Sequence, residues 1–315
     1  MIGFKDSTMQ KFQQTLSRPI QLEGIGLHSG KSVRMTLFPA PPHSGIHLIS
    51  HHRGEEVRIK ASVHHITKTT LSTTLGFSNA AEIHTVEHIL SALYGLEIDN
   101  VTIQLDDIEI PIMDGSALPF VNSILSGGIE RQNRKKRVLT ILKKIELEEE
   151  GKTISVLPSR ELRIDYSIDF EHPLVGRQDF HFTLTRQGFV RRIAPARTFG
   201  FTREFDELQK QGLIKGGSLD NAVVVGDDRI LNREGLRFKD EFVRHKILDL
   251  IGDLSLLGYP VRGHFVAHRA GHALHARFVA KILEESECWE LSGDDRHEND
   301  PVETPRSSGI LLVSR

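Results

Sequence analysis

Cysteine is scarce in this sequence, and the scarcity limits the sites that the chain can form. Cys288 is the only cysteine among 315 residues, so we expect no internal disulfide and no cysteine-based zinc site. A metal ion would have to bind to histidine and carboxylate side chains. The same usage fits a reducing compartment, and we expect a cytoplasmic protein.

An excess of either charge is also absent. The 40 Lys and Arg residues nearly balance the 42 Asp and Glu residues, which leaves a formal net charge of -2. Nucleic acids and anionic membranes attract basic proteins, so we expect no nucleic-acid partner, and an acidic substrate would need a local cluster of positive charge. No stretch has the length and apolar character of a membrane span, so we expect no integral membrane segment. We expect a monomer.

The apolar pattern predicts strands and helices in both halves of the chain. Residues 15–37 alternate polar and apolar side chains around glycine turns, which is typical of half-buried strands. Apolar residues recur at helical steps from Ile83 to Leu93, so we predict a helix that Gly95 ends. The segment "DEFVRHKILDLIGDLSLLG" predicts a second, longer helix after a series of strands.

The length of the chain and one polar run predict two domains. A chain of 315 residues can bury two cores. The run "ERQNRKKR", residues 130–137, has no apolar periodicity and predicts a linker. We therefore predict an α+β fold of two similar domains, 1–132 and 133–315, each a β-sheet packed against helices, with the active site between them. A polar tail is predicted from about residue 292.

The segment "AEIHTVEHILSALYGL" carries the first candidate for chemistry. It spells H-x-x-E-H with His84, Glu87 and His88, which is the inverted zinc-peptidase motif. In that interpretation both histidines hold zinc and Glu87 acts on a water molecule. The chain has 17 histidines, so spacing alone is weak support, and the peptidase is one of the interpretations that the residues leave open.

The second predicted helix offers another set of ligands. His245, Asp249 and Asp253 are spaced four apart and share one face. Together with a histidine of the first helix, this face would give two histidines and one carboxylate, the set of a catalytic zinc with a position open to water. Fe²⁺ accepts similar ligands. A pair of histidine and aspartate that only faces solvent is the alternative.

The two predicted helices also resemble each other. "VEHILSALYG" and "VRHKILDLIG" share a valine, a histidine two residues later and a glycine seven residues after that. If this weak repeat is real, two similar halves each bring a histidine-bearing helix to one central site.

Several separated motifs, in this order, resemble a known family. They are "STTL", "TVEHILSALYGL", "EIPIMDGSALPF", "ARTFGF", "GLRFKDEFVRHKILDLIGDL" and "AGHAL". From about residue 15 to 290 the chain is similar to UDP-3-O-acyl-N-acetylglucosamine deacetylases, the zinc amidases of lipid A synthesis in Gram-negative bacteria. The resemblance implies hydrolysis of the N-acetyl group of this UDP-linked acylated glucosamine to UDP-3-O-acyl-glucosamine and acetate, an early committed step of lipid A and lipopolysaccharide synthesis.

The resemblance implies a ligand set that differs from that of the peptidase motif. It assigns zinc to His88, His245 and Asp249, and it makes Glu87 the general base. His84 stands where the family commonly has serine, so the resemblance implies that it is not a ligand.

Four further residues gain a catalytic role through the resemblance. His272 is the implied general acid, and Asp253 is the carboxylate that we pair with it, since an anionic neighbour raises the pKa of an imidazole. Lys246 and Thr198 are implied to stabilise the oxyanion. Without the resemblance, Lys246 would be taken for an exposed helix lysine and His272 for a loop or strand residue.

The substrate of that family joins a nucleotide diphosphate to an acyl chain, which requires an apolar channel and local positive charge. We expect Phe170 to stack on uracil and Arg269 to bind the diphosphate. The candidate substrate-binding residues are Leu71, Phe170, Phe199, Phe201, Phe205, Ser218 and Arg269. A metal-stabilised lipid carrier without catalysis is a further alternative, although the presence of Glu87 and His272 speaks against it.

Overall fold

The computed structural model describes residues 11–52, 55–77 and 82–293. Its strands are β1 Phe12–Leu16, β2 Ile20–Ile25, β3 Ser32–Pro39, β4 Ile46–His52, β5 Glu55–Lys60, β6 Ile66–Lys68, β7 Thr74–Gly76, β8 Glu82–Ile83, β9 Val101–Leu105, β10 Ile129–Lys135, β11 Val138–Ile141, β12 Ile145–Glu149, β13 Lys152–Leu157, β14 Leu162–Phe170, β15 Gly176–Thr183, β16 Phe199–Phe201, β17 Val223–Val225, β18 Val261–His268 and β19 Trp289–Ser292. Its α-helices are α1 Glu87–Gly95, α2 Leu118–Gly127, α3 Arg186–Gly188, α4 Thr202–Lys210, α5 Glu241–Leu254 and α6 His272–Glu284. The predicted α+β class is confirmed.

The first large sheet is built from alternating segments in the N-terminal half. It has five strands in the order β2-β3-β9-β4-β5, and only the β4–β9 pair within it is parallel. In β3 the side chains of Val33, Met35 and Leu37 are buried while their neighbours face outward, as the period of two requires. Helix α2 packs on β2, and α1 packs on α2.

The second large sheet repeats this plan in the C-terminal half. It has seven strands, with β12-β13-β18-β11-β19 in line and β14 joining β18 to β15. Helix α5 packs on β14 and β15, and α6 packs on β12 and β13. Among the described residues no helix is long and apolar enough to cross a membrane.

The basic run at 130–137 differs from its prediction as a linker. Ile129–Lys135 form strand β10, which pairs antiparallel with β1. Lys136 is buried, and its Nζ lies 2.8 Å from Asp99 Oδ2. The run forms a strand because β1 supplies its backbone hydrogen bonds. Backbone pairing does not require apolar side chains at alternate positions, so the sequence shows no apolar periodicity here. The proposed division at residue 132 falls inside β10, and most of the predicted tail lies outside the described residues.

The two histidine-bearing helices are in direct contact. Helix α5 matches the prediction, whereas α1 begins at Glu87 and not at Ile83, because Thr85 has φ of 60° and interrupts the helix. At Gly252 a Cβ atom would lie 2.2 Å from the backbone oxygen of Glu87. The glycine therefore allows the backbone of α5 to touch the first turn of α1.

Replacing Gly252 by alanine should destabilise the protein. Alanine favours a helix over glycine by about 1 kcal/mol, but the new methyl group would clash with the backbone of Glu87, which moves only if α1 moves. We expect Gly252→Ala to lower the free energy of unfolding in urea by about 1–3 kcal/mol.

Gly271→Ala is the control for this variant. A Cβ atom at Gly271 meets no other atom within 4 Å, and its φ of −151° suits any residue. Its free energy of unfolding should stay within about 0.5 kcal/mol of the wild type. A Gly252→Ala protein as stable as this control would show that the helices do not need the close contact.

Candidate active site and metal centre

Helices α1 and α5 bring three candidate metal ligands together. His88 lies in the first turn of α1, and His245 and Asp249 lie one turn apart on α5. All three side chains are buried, and one ligand atom of each lies within 4.8 Å of the others. The Nε2 atoms of His245 and His88 lie 3.3 Å and 3.8 Å from Asp249 Oδ1.

The donor atoms of this group fit a divalent cation. His245 Nδ1 lies 3.1 Å from the Ala196 carbonyl oxygen, so it donates a proton there and leaves the lone pair of Nε2 facing Asp249 Oδ1. Two acceptors that face each other at this distance repel. Asp249 Oδ1 has no hydrogen-bond partner within the described part of the chain. A cation between these atoms would satisfy them, and a histidine ligand whose other nitrogen donates to a carbonyl is the usual arrangement.

Burial and neighbouring charges together set the protonation states that metal binding requires. It lowers the pKa of His88 to about 3, with His245 acting in the same direction, and it also lowers the pKa of His245. For Asp249, burial raises the pKa, but the neighbouring His245 and Lys246 outweigh it and hold the pKa well below its usual range. At neutral pH the site therefore offers two neutral imidazoles and a carboxylate.

The position of His84 does not favour the peptidase alternative. His84 follows β8 and precedes the left-handed Thr85, so it does not share a helix with His88. Its Nδ1 atom lies 3.1 Å from Thr74 Oγ1. The candidate ligand groups found among the described residues do not include His84.

Glu87 is a buried carboxylate with one oxygen fixed. Its Oε2 accepts a hydrogen bond from the Thr73 backbone N–H at 3.0 Å, and its Oε1 lies 3.8 Å from His272 Nε2. Burial raises the pKa of Glu87 to about 7, and the charges of Asp249 and Asp253 add to the rise while His272 opposes it. A carboxylate with such a pKa is suited to proton transfer near neutral pH.

His272 is the first residue of α6 and pairs with Asp253. Its Nδ1 lies 2.8 Å from Asp253 Oδ2, and its Nε2 lies 3.8 Å from Asp249 Oδ2. Burial alone lowers the pKa of His272, but Asp253 and Asp249 overcome this and raise the pKa to about 9. In turn burial raises the pKa of Asp253, and His272 outweighs it to give a pKa of about 2. His272 is thus a buried imidazolium at neutral pH.

These groups surround one small cavity of about 30 Å³. It is lined by Leu27, Leu71, Ser72, Thr85, Glu87, His88, Ile112, Thr198, His245, Lys246, Asp249 and His272. Lys246 Nζ donates to Asp249 Oδ2 at 2.7 Å. The volume suits one or two groups of the size of water, so a reacting group fits here and a whole sugar nucleotide does not.

Three of the candidate substrate-binding residues form an aromatic cluster beside the cavity. The rings of Phe170 and Phe199, and of Phe170 and Phe201, have centroids 5.6 Å apart. Phe199 also meets the ring of His245 at 6.4 Å, and Lys246 Nζ lies 5.7 Å from its centroid.

The remaining candidates lie at different places. Leu71 is 49% exposed at the cavity, and Phe205 is half-buried on α4. Arg269 and Ser218 are exposed and do not line the cavity. Ser218 instead stabilises a turn, where its backbone N–H donates to Asn221 Oδ1 at 2.8 Å.

Sequence reasoning missed two polar residues that complete the site. The hydroxyl of Thr73 donates to Asp253 Oδ1 at 2.6 Å, and His275 Nδ1 lies 2.9 Å from Asp253 Oδ2. His275 follows His272 by three residues, so a predicted helix at α6 would have placed both on one face. Thr73 lies in the "STTL" motif, but no pattern distinguishes it from its neighbours.

The pairing of His272 with Asp253 predicts a pH dependence for the metal-free protein. A histidine whose pKa is raised in the folded state stabilises the fold below its unfolded pKa of about 6.5, and this contribution is lost as the pH rises toward about 9. By NMR titration His272 should deprotonate near pH 9, and in Asp253→Asn at least one pH unit lower. An unchanged midpoint in that variant would contradict the assigned cause.

Comparisons with known proteins show the family of the chain. The family model of LpxC, UDP-3-O-acyl N-acetylglycosamine deacetylase, matches residues 13–284. The chain is 46% identical over 286 residues to the UDP-3-O-acyl-N-acetylglucosamine deacetylase of Myxococcus xanthus, covering 91% of each chain. It is 48% identical over 279 residues to the protein of that name in Oleidesulfovibrio alaskensis, covering 88% of this chain and 90% of that one. The family consists of hydrolytic metalloenzymes. The chain belongs to the UDP-3-O-acyl N-acetylglycosamine deacetylase family.

Proposed function

We propose that this chain hydrolyses the acetamide of UDP-3-O-acyl-N-acetylglucosamine, which releases acetate and leaves a free amine for lipid A synthesis. Family membership supports the reaction. One observation connects this reaction to individual residues. Two imidazoles and a carboxylate lie around one cavity, and a second carboxylate and an imidazolium line the same cavity. Hydrolysis of an amide needs this combination of a nucleophile activator, an anion stabiliser and an acid.

The proposed metal ligands are His88, His245 and Asp249. Zn²⁺ suits two imidazoles and one carboxylate, and Fe²⁺ accepts the same donors. When bound, the ion would acidify a water molecule and polarise the acetamide carbonyl.

Glu87 is the proposed general base. Because the Thr73 N–H occupies its Oε2, Oε1 remains to accept the proton of the attacking water. The raised pKa of Glu87, about 7, makes it a stronger base than an ordinary carboxylate. Both its position next to His88 in the sequence and its burial support this role.

His272 is the proposed general acid. The departing nitrogen needs a proton as its bond to the acetyl carbon breaks, and the imidazolium of His272 can donate one from Nε2. Its Nδ1–H is held by Asp253 at 2.8 Å, so Nε2 is the nitrogen that faces Glu87 and the cavity. Charged at neutral pH, this histidine can act while Glu87 is ionised.

Lys246 and Thr198 are the proposed stabilisers of the oxyanion. Both line the cavity, and Lys246 Nζ lies 2.7 Å from Asp249 Oδ2. A cation and a hydroxyl placed where negative charge develops lower the barrier by electrostatic stabilisation.

The aromatic cluster suits the acyl chain of the substrate. We propose that Phe199, Phe201 and Phe205, with Leu71, contact apolar parts of the substrate. Ser218 is proposed for the wall of the acyl passage. For the nucleotide part we propose Phe170 and Arg269, although Phe170 packs within the cluster and stacking on uracil would require its ring to move. We further propose a monomer in the cytoplasm. A non-catalytic lipid carrier is not favoured, since the family consists of enzymes.

Two variants separate the deacetylase site from the peptidase motif. His245→Ala should lose both the bound metal and deacetylation of UDP-3-O-acyl-N-acetylglucosamine. Removing only a hydrogen-bond partner of a metal ligand lowers activity by up to roughly 100-fold, and the loss of activity in this variant should be larger. His84→Ser should keep both. Metal content is measured by atomic emission and turnover by release of acetate. Loss of metal in His84→Ser with retention in His245→Ala would contradict the proposed site.

A further inference from the structure

His275 is a buried histidine that the proposed reaction does not use. It lies on α6 one turn after His272 and is 0% exposed. Its Nδ1 lies 2.9 Å from Asp253 Oδ2, the same oxygen that receives His272 Nδ1 at 2.8 Å. Two imidazoles of one helix therefore converge on a single carboxylate oxygen.

Tyr166 fixes the other edge of the His275 ring. The hydroxyl of this fully buried tyrosine lies 3.0 Å from His275 Nε2 and 2.7 Å from the Ala270 carbonyl oxygen. Ala270 lies two residues before His272, so strand β14, which carries Tyr166, is tied both to His275 and to the start of α6.

The partners of His275 determine where its proton lies. Burial lowers the pKa of His275, although Asp253 opposes this, so the ring is neutral and carries one N–H. A carboxylate can only accept, which places that proton on Nδ1. Nε2 is then an acceptor, and the single proton of the Tyr166 hydroxyl is shared between the Ala270 oxygen at 2.7 Å and Nε2 at 3.0 Å. Tyr166 therefore donates a hydrogen bond to His275, and His275 donates one to Asp253.

Asp253 receives hydrogen bonds from three sides. The Thr73 hydroxyl donates to Oδ1 at 2.6 Å, and the two histidines donate to Oδ2. Without His275, only His272 itself would hold Oδ2. The carboxylate could then rotate, and the ring of His272 would rotate with it.

We infer that His275, held by Tyr166, is a positioning residue for deacetylation: its Nδ1–H fixes the Asp253 carboxylate so that His272 directs Nε2 into the cavity. The inference rests on the proposed function. A purely structural role would be that of a buried ring that only fills space between α6, α5 and β14. The two roles differ in whether the identity of the donor atom matters.

Two substitutions of similar size separate these roles. His275→Asn places an amide N–H where Nδ1 lies and loses the contact with Tyr166, whereas His275→Gln places its amide near the Nε2 position and loses the donor to Asp253. For zinc-loaded protein we expect His275→Asn to keep kcat within a few-fold of the wild type. We expect His275→Gln to lose about 10- to 100-fold in kcat, a loss typical of outer partners of a reactive group, with KM and metal content unchanged.

Selective ¹⁵N-histidine labelling gives a readout that does not depend on turnover. The zinc-loaded wild type should show two slowly exchanging Nδ1–H protons, those of His272 and His275. The signal of His272 should persist in His275→Asn and broaden in His275→Gln. Equal kcat in the two variants, or a His272 signal unchanged in both, would overturn the inference. A wild type that releases no acetate would refute the proposed function, while the spectra would still decide the role of His275.

Discussion

The contact between the backbones of α1 and α5 is the constraint on which the site depends. Gly252 lets α5 approach Glu87 to a distance that no side chain allows, and this brings His88 of one helix next to His245 and Asp249 of the other. Each helix belongs to a different half of the chain and packs with its own set of neighbours. A ligand set divided in this way forms only when both halves are folded and in contact.

The second constraint is the burial of three carboxylates within one site. Glu87, Asp249 and Asp253 are all nearly inaccessible to solvent, and unpaired buried charges are costly. The negative charge of each carboxylate is compensated in a different way. Asp253 is neutralised by His272, Asp249 by Lys246 and a cation that its free oxygen could hold, and Glu87 by a pKa raised to about 7. These three arrangements correspond to the three proposed roles of acid partner, metal ligand and base.

The sequence predicted the parts of the site that depend on helical period. The face of α5 and the α+β class follow from apolar spacing, and the weak repeat of the two helices predicted that both bring a histidine to one site. Three features could not be predicted from the spacing of residues alone. Strand β10 exists because β1 pairs with it, and His84 leaves the site because Thr85 adopts a left-handed conformation that is uncommon for a β-branched residue. The N-terminus of α6 at His272 follows Gly271, and its first turn contains no acidic residue, so the usual signals of a helix start were absent.

X-ray absorption spectroscopy of the zinc-loaded protein counts the imidazoles bound to the metal, and so it tests whether α1 and α5 together hold one ion. We expect two imidazole nitrogens at about 2.0–2.1 Å, with oxygen ligands completing the site. In Asp249→Asn the oxygen shell should change while both imidazoles remain. Three imidazoles in the wild type, or a single one, would contradict the convergence of α1 and α5 on one metal site.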